Sequence, residues 1–231
     1  MKWLLLIVGM LLLIFIEILR VYYIMPFPGS QQDETIQLAY FINNYILYIR
    51  LLGWALVAYP VYSFFRTSNN VVRITLAVVL GFYVVVFYMF NFRFLADKMF
   101  LEPTSIVFLG AEDNKKVHAN QLVIGVSLGG ESKAFPIEII GYHHQVRDII
   151  GKTPVMVTYC TVCRTGRVFS PVVDGREETF RLVGMDHFNA MFEDSQTKTW
   201  WRQVNGEAVV GPLKGKSLEE IPSEQMSLLQ W

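Results

Sequence analysis

The only two cysteines of this 231-residue chain stand three apart, as Cys160 and Cys163 in PVMVTYCTVCRTGRVFS. A thiol pair at this spacing supports three chemistries. One thiolate attacks a disulfide and the other resolves the mixed disulfide. Alternatively, both sulfurs bind a soft metal ion. In an oxidising compartment they can also simply close a structural disulfide. Thiol oxidoreductases usually open a helix on the first cysteine, whose N-terminal position favours the thiolate. Here a β-branched run (Val155, Val157, Thr158) leads in, and Thr165-Gly166 followed by Arg167-Val168-Phe169 leads out. That pattern predicts strand–turn–strand, with the glycine three residues on suggesting a metal knuckle. Knuckles normally come in pairs to give four ligands. This chain has one, so a metal site needs histidine, methionine or carboxylate from elsewhere.

Further ligands are available. All four histidines (His118, His143, His144, His187) lie in the same half of the chain as the cysteines. His143 and His144 fall on a predicted helix, where neighbours diverge by ~100°, so both are not expected on one ion. Met185 and His187 alternate to one face if GMDHF is extended. The candidate metal set is therefore Cys160, Cys163, His143, His187 and Met185, a donor set that suits copper(I) or zinc. Cys160 and Cys163 alone are the candidate redox pair. Asp148, Asp186, Glu193 and Asp194 offer acid–base chemistry without a spacing that singles out a pair. No nucleophile elbow, phosphate loop or H-E-x-x-H occurs. Trp200-Trp201 are expected on opposite faces of a strand, one in the core and the other toward a partner or membrane surface.

The elements that must carry these residues divide sharply along the chain. Residues 1–98 are predicted to be a transmembrane anchor, and 99–231 a β-rich domain. Three apolar stretches, about 3–25, 38–65 and 74–94, are each long enough to cross a ~30 Å hydrocarbon core, which takes about 20 residues. The first is too long for a signal-peptide core and no small-residue cleavage site follows it, so it reads as a signal anchor. Pro60 is tolerable in a membrane helix. Lys2, Arg66 and Arg73 flank one side of these spans, and the loop PFPGSQQDETIQ on the other has no Lys or Arg. The positive-inside rule then puts the N-terminus in the cytoplasm and everything after about Lys98 outside. The expected location is a bacterial inner membrane, with the C-terminal domain periplasmic or extracellular. Trp3, Tyr22, Tyr23 and Tyr45 fit interfacial anchors.

Ionisable residues within spans are rare and informative. Glu17 lies ~21 Å along its helix from Trp3, and Arg50 lies ~22 Å along the antiparallel helix from Phe65, at ~1.5 Å per residue. The matching depths predict a Glu17–Arg50 ion pair, or a three-way contact with Arg20. Its role is either an ion or proton path or helix packing.

Beyond residue 101, predicted strands are 122–127, 133–136, 155–159, 167–172, 179–183, 190–193, 199–203 and 207–210. Gly129-Gly130, Asp174-Gly175 and Asn205-Gly206 mark turns between them. Residues 137–150 read as a short helix and 217–222 as a loop. The fold class is a membrane protein of α + β type: three N-terminal transmembrane helices, then a mostly-β sandwich or curled barrel with one or two short helices. Residues 1–100 carry seven of the 20 Lys+Arg and four of the 20 Asp+Glu, so neither half is a basic surface, and nucleic acid is excluded as a partner.

Three segments in order, AFPIEIIGYHHQVRD, PVMVTYCTVCRTGRVF and FNAMFEDSQTKTWWRQVNGEAVVGPLKGKSL, resemble the bacterial family called domain of unknown function 3179, over about Val123 to Trp231. His143, Asp148, Cys160, Cys163, Asn189, Met191, Asp194, Thr197, Trp200 and Gln203 carry the resemblance. His144, Arg147 and Thr161 stand where the family pattern has Glu, Asn and Pro. The resemblance implies a domain without an assigned activity. Three functions remain open from the sequence. The first is a membrane-anchored, extracytoplasmic metal-binding or redox-linked protein. The second is a non-catalytic accessory subunit docked to other subunits of a membrane complex. The third is a thiol–disulfide oxidoreductase. The lipid bilayer is the expected partner in each.

Overall fold

The structure is a computed structural model that describes all 231 residues. The chain divides into two compact units, Met1–Lys98 and Met99–Trp231.

The first unit contains α1 (Lys2–Tyr22), α2 (Ile36–Thr67) and α3 (Asn70–Tyr88), the last prolonged by a π-helical turn over Met89–Arg93, then a single turn α4 (Ala96–Met99). Three helices are long and apolar enough to cross a membrane. α1 ends at Tyr22, short of the expected Met25, because Pro26 and Pro28 follow and proline excludes helical conformation from the residue before it. Close approach of α1 and α2 depends on two glycines. A Cβ on Gly9 would lie 2.6 Å from Val57 Cγ2, and one on Gly53 would lie 2.7 Å from Leu13 Cδ2. Small residues at such a crossing let helices pack where no hydrophobic driving force separates lipid from side chain. Leu6, Met10, Leu13, Val57, Phe64, Leu76 and Tyr83 form the buried seam.

The second unit is mostly β, with one helix. It runs β1 (Leu122–Leu128), β2 (Glu131–Pro136), α5 (Ile137–His143), β3 (Gln145–Ile150), β4 (Thr153–Cys160), β5 (Thr165–Phe169), β6 (Val172–Val173), β7 (Arg176–Glu177), β8 (Phe180–Asp186), β9 (Asn189–Asp194), β10 (Trp200–Arg202), β11 (Ala208–Val210) and β12 (Glu224–Ser227). Four antiparallel sheets result, ordered β12-β1-β2, β3-β4-β5, β11-β10-β9-β8 and β6-β7. Ile124, Val126 and Phe135 of the first sheet pack with Val146, Ile150, Val155, Val157 and Val168 of the second, and Ile140 of α5 closes the end. The alternation of strand side chains supplies this two-sided core.

Four hairpins turn on two residues with both φ positive: Gly129–Gly130, Gly151–Lys152, Asp174–Gly175 and His187–Phe188. This is the turn geometry that matches strand twist. Two of the four carry the glycine pattern expected of them. His187–Phe188 does not, and it corrects the reading of GMDHF as extended through His187. The chain reverses there, so His187 is a turn residue and does not share a strand face with Met185. The expected helix over residues 137–150 is also corrected. It stops at His143, His144 takes the left-handed cap at φ 63°, and the rest becomes β3, paired with β4 from Gln145↔Thr158 onward. The expected strand 167–172 breaks near Pro171, with β6 pairing separately to β7.

Candidate functional site

β4 carries Cys160 at its last position, and a four-residue turn returns the chain into β5, pairing Cys160 with Thr165. The turn folds Cys163 back over Cys160, so that the Cys163 backbone N–H points at Cys160 Sγ, 3.5 Å away. The two thiols differ in setting. Cys160 is fully buried, whereas Cys163 is exposed, and no disulfide joins them. Burial pushes the Cys160 thiol up from its ordinary pKa, and the adjacent Cys163 side chain pushes the same way. Its S–H donates to Phe188 O at 3.7 Å.

The exposed sulfur sits on a polar network. Asn189 Nδ2 donates to Cys163 Sγ at 3.2 Å and to Gln203 Oε1 at 3.3 Å, while Asn189 Oδ1 accepts from Val204 N–H at 3.0 Å. Gln203, 1% exposed, donates through Nε2 to Thr158 Oγ1 at 3.1 Å and to Thr165 O at 2.9 Å. Thr158 in turn donates to Arg167 O at 2.9 Å. Thr158 belongs to β4, Asn189 opens β9, and Gln203 follows β10, so the network ties the β3-β4-β5 sheet to the β8–β11 sheet at the cysteine turn. Thr158 is the member that sequence reading missed. The alternation of β4 marks it as inward-facing, and a buried threonine needs a partner.

Asp186 is directly opposite Asn189 across the β8–β9 hairpin, which puts both side chains on one sheet face. Its carboxylate pairs with Arg202 and accepts from or donates to His187 Nδ1 at 2.9 Å, according to the imidazole tautomer. Arg202 Nη1 also lies 3.7 Å from Glu207. Met185, one residue from Asp186, is buried on the opposite face, against Ala190. His143 Nδ1 lies 2.5 Å from Leu101 O at the end of α5. The five candidate ligands are therefore not gathered, and no group of three or more His, Cys, Asp and Glu side chains is placed to hold a metal. Asp148 pairs with Lys133 at 2.9 Å.

The remaining acids are held by tryptophans. Trp200 Nε1 donates to Glu193 at 2.8 Å and Trp201 Nε1 donates to Asp194 at 2.9 Å. Both indoles are buried, at 0% and 1% exposure, which corrects the expectation of one outward-facing tryptophan. β10 is an inner strand between β9 and β11, so both of its faces are covered, and each indole N–H needs an acceptor there. Asp194 also accepts from Thr197 N–H at 2.6 Å, Thr197 Oγ1 at 2.7 Å and Thr199 N–H at 3.1 Å, fixing the β9–β10 turn.

These buried residues are the same ones that carry the family pattern, and the family itself is found on the same segment. A family profile described as "Protein of unknown function (DUF3179)" matches residues 105–231, more than half of the chain. The chain belongs to this family. No curated protein and no solved structure matches it. The cysteine turn and its Asn189–Gln203 support lie wholly within the DUF3179 segment.

The helical unit holds a second polar cluster, outside that segment. Arg50 Nε and Nη2 grip Glu17 Oε1 and Oε2, each at 2.7 Å, and Glu17 is fully buried. Asn91, carried on the π-helical turn, donates to Glu17 Oε2 at 2.8 Å and accepts from Arg50 Nη2 at 2.7 Å and Arg20 Nη1 at 2.8 Å. Arg20 also reaches Asn43 at 3.2 Å. Arg20 thus joins the pair through Asn91, a residue that an acid–base search of the sequence passes over. The extra residue of a π-helical turn is a common way to aim a side chain inward.

Proposed function

We propose that this chain is a membrane-anchored protein of the bacterial inner membrane whose DUF3179 unit lies outside the cytoplasm, and that Cys160 and Cys163 work there as a dithiol–disulfide couple. The observation that carries the reading is the asymmetry of the pair. An exposed sulfur receives an amide N–H from a buried asparagine and stands over a buried thiol with a raised pKa. That is the division of labour between an attacking and a resolving cysteine. The Cys163 thiolate attacks one sulfur of a substrate disulfide, forms a mixed disulfide and expels the other half as thiolate. Cys160, losing its proton, then attacks the Cys163 sulfur, closes the Cys160–Cys163 disulfide and releases the second thiolate. Two electrons pass from the protein to the substrate, and the bonds balance. Three apolar helices, with basic residues on one side only, support the anchoring and its direction.

The test is stoichiometric. Full-length reduced protein treated with oxidised glutathione should release two reduced glutathiones per chain and gain one internal disulfide. The Cys160→Ser variant should release one and stop as the Cys163–glutathione adduct. Failure of either thiol to exchange would refute the couple. A thiolate-bound copper(I) or zinc ion is the second reading, favoured by the Cys163 N–H directed at Cys160 Sγ as in a knuckle. Metal retained through purification at one ion per chain would establish it instead.

A further inference from the structure

One end of the three-helix unit combines a basic cluster with an apolar slot. Lys2 at the start of α1, Arg66 at the end of α2 and Arg73 in the first turn of α3 meet there, and Lys2 Nζ donates to Ser63 Oγ at 2.8 Å. None of the three has an acidic partner. No Asp or Glu precedes Glu17 in the sequence, and none lies between Glu34 and Asp97. Lys2 and Arg66 lie over the rings of Tyr59 and Tyr62 instead, at 5.6 and 5.5 Å. Arg73 Nε is buried and has no hydrogen-bond partner. A buried, charged donor left unpaired is costly, and a native structure normally satisfies it.

Beside this cluster, α1, α2 and α3 enclose a slot of about 170 Å³, walled by Trp3, Ile7, Met10, Phe64, Thr75 and Val79. It extends over two turns of α1, from Trp3 to Met10, so it runs ~10 Å along the helices at ~1.5 Å per residue. Its lining is almost wholly apolar. Trp3 and Phe64, with ring centroids 4.3 Å apart, stand at the end nearest the cations.

We propose that this end of the unit binds an anionic phospholipid, with one acyl chain in the slot and the headgroup phosphate on Arg73, Lys2 and Arg66. Charge and shape select this occupant. A zwitterionic lipid supplies the chain without net negative charge, and inorganic phosphate supplies the charge without a chain. A surface with three cations, one of them with an unmet donor, next to an apolar channel matches an amphiphile that is both anionic and acylated. The inference rests on the reading of α1–α3 as membrane spans.

The test uses the full chain purified in neutral detergent, with equal amounts of dioleoylphosphatidylglycerol and dioleoylphosphatidylcholine, and bound lipid counted by native mass spectrometry. The expected result is preferential retention of the glycerol lipid, by about fivefold for each cation engaged. Arg73→Gln should reduce the preference about fivefold, and Thr75→Phe, which fills the slot, should reduce retention of both lipids. Arg66→Gln is the second charge variant if Arg73→Gln does not fold. Equal retention, an unchanged preference in both charge variants, or full displacement by inorganic phosphate would overturn the site. Alkaline carbonate extraction of the same membranes separates the two readings. A chain that extracts is no anchor. One that stays in the membrane without lipid preference lacks only this site.

Discussion

Removal of the Asn189 side chain separates a reactive role from a structural one at the cysteine turn. Asn189→Ala deletes three hydrogen bonds: to Cys163 Sγ, to Gln203 Oε1 and from Val204 N–H. Gln203 is 1% exposed, so water does not replace its lost donor, and an orphaned buried acceptor costs about 1–3 kcal/mol. Val204 is only half-buried and its N–H is resolvated, at a net cost of about 1 kcal/mol. The variant should therefore unfold with a stability loss of about 2–4 kcal/mol, read from the fluorescence of the buried Trp200 and Trp201. The effect on Cys163 is independent of that loss. A hydrogen bond to a charged group is worth about 1.5–3 kcal/mol when dry, and the exposed sulfur retains roughly 1 kcal/mol of this, or about fivefold in the rate of alkylation by iodoacetamide. Asn189→Asp keeps the acceptor for Val204 but turns a carboxylate oxygen toward the sulfur, and should slow alkylation further. If alkylation is unchanged in both variants while stability falls, Asn189 only supports the fold, and the assignment of Cys163 as the attacking sulfur loses its basis.

Other consequences are as concrete. Burial lowers the pKa of His144, so the unfolded chain takes up a proton that the folded one refuses. Stability is then full above the ordinary imidazole range and declines as pH falls below about 6.5; His144→Asn, which tolerates the left-handed cap, should flatten that decline in a pH series of thermal melts. Phe188 holds φ at 61° in a turn that glycine would occupy without strain, so Phe188→Gly should raise stability by roughly 1 kcal/mol in the same melts, unless contacts of the ring outweigh the strain. Glu17→Gln strands the Arg50 guanidinium and should cost about 3 kcal/mol, whereas the Glu17→Leu/Arg50→Leu double variant should recover most of it in detergent melts. An equal loss in both would show that the pair is not the unit of stabilisation.

Much of the architecture is written locally. Three long apolar runs, the Gly129–Gly130 and Asp174–Gly175 turns, and the β-branched approach to Cys160 followed by Gly166 all specify their own conformation. What sequence could not convey depended on distant pairing. Residues 145–150 space Val146 and Ile150 four apart, as a helix would, but β4 recruits them as a strand once His144 takes a left-handed cap more usual for glycine or asparagine. His187–Phe188 lacks every turn signal, because the hairpin is imposed by the pairing of β8 with β9. Trp200 and Trp201 alternate as strand residues should, but the second sheet face is covered by parts of the chain that no local pattern reveals. The Glu17–Arg50 pair followed from matched helix depths, whereas Asn91 depended on an extra residue in a π-helical turn. At the cysteines, spacing and lead-in residues identified the turn, and only the three-dimensional arrangement separated the buried sulfur from the exposed one.

The proposal is tested most directly by a membrane-impermeant maleimide applied to right-side-out spheroplasts that carry the full chain. The account predicts that Cys163 is labelled without permeabilisation, that oxidised glutathione blocks the labelling, and that a reductant restores it. Labelling that requires permeabilised cells, or that ignores the oxidant, would contradict it.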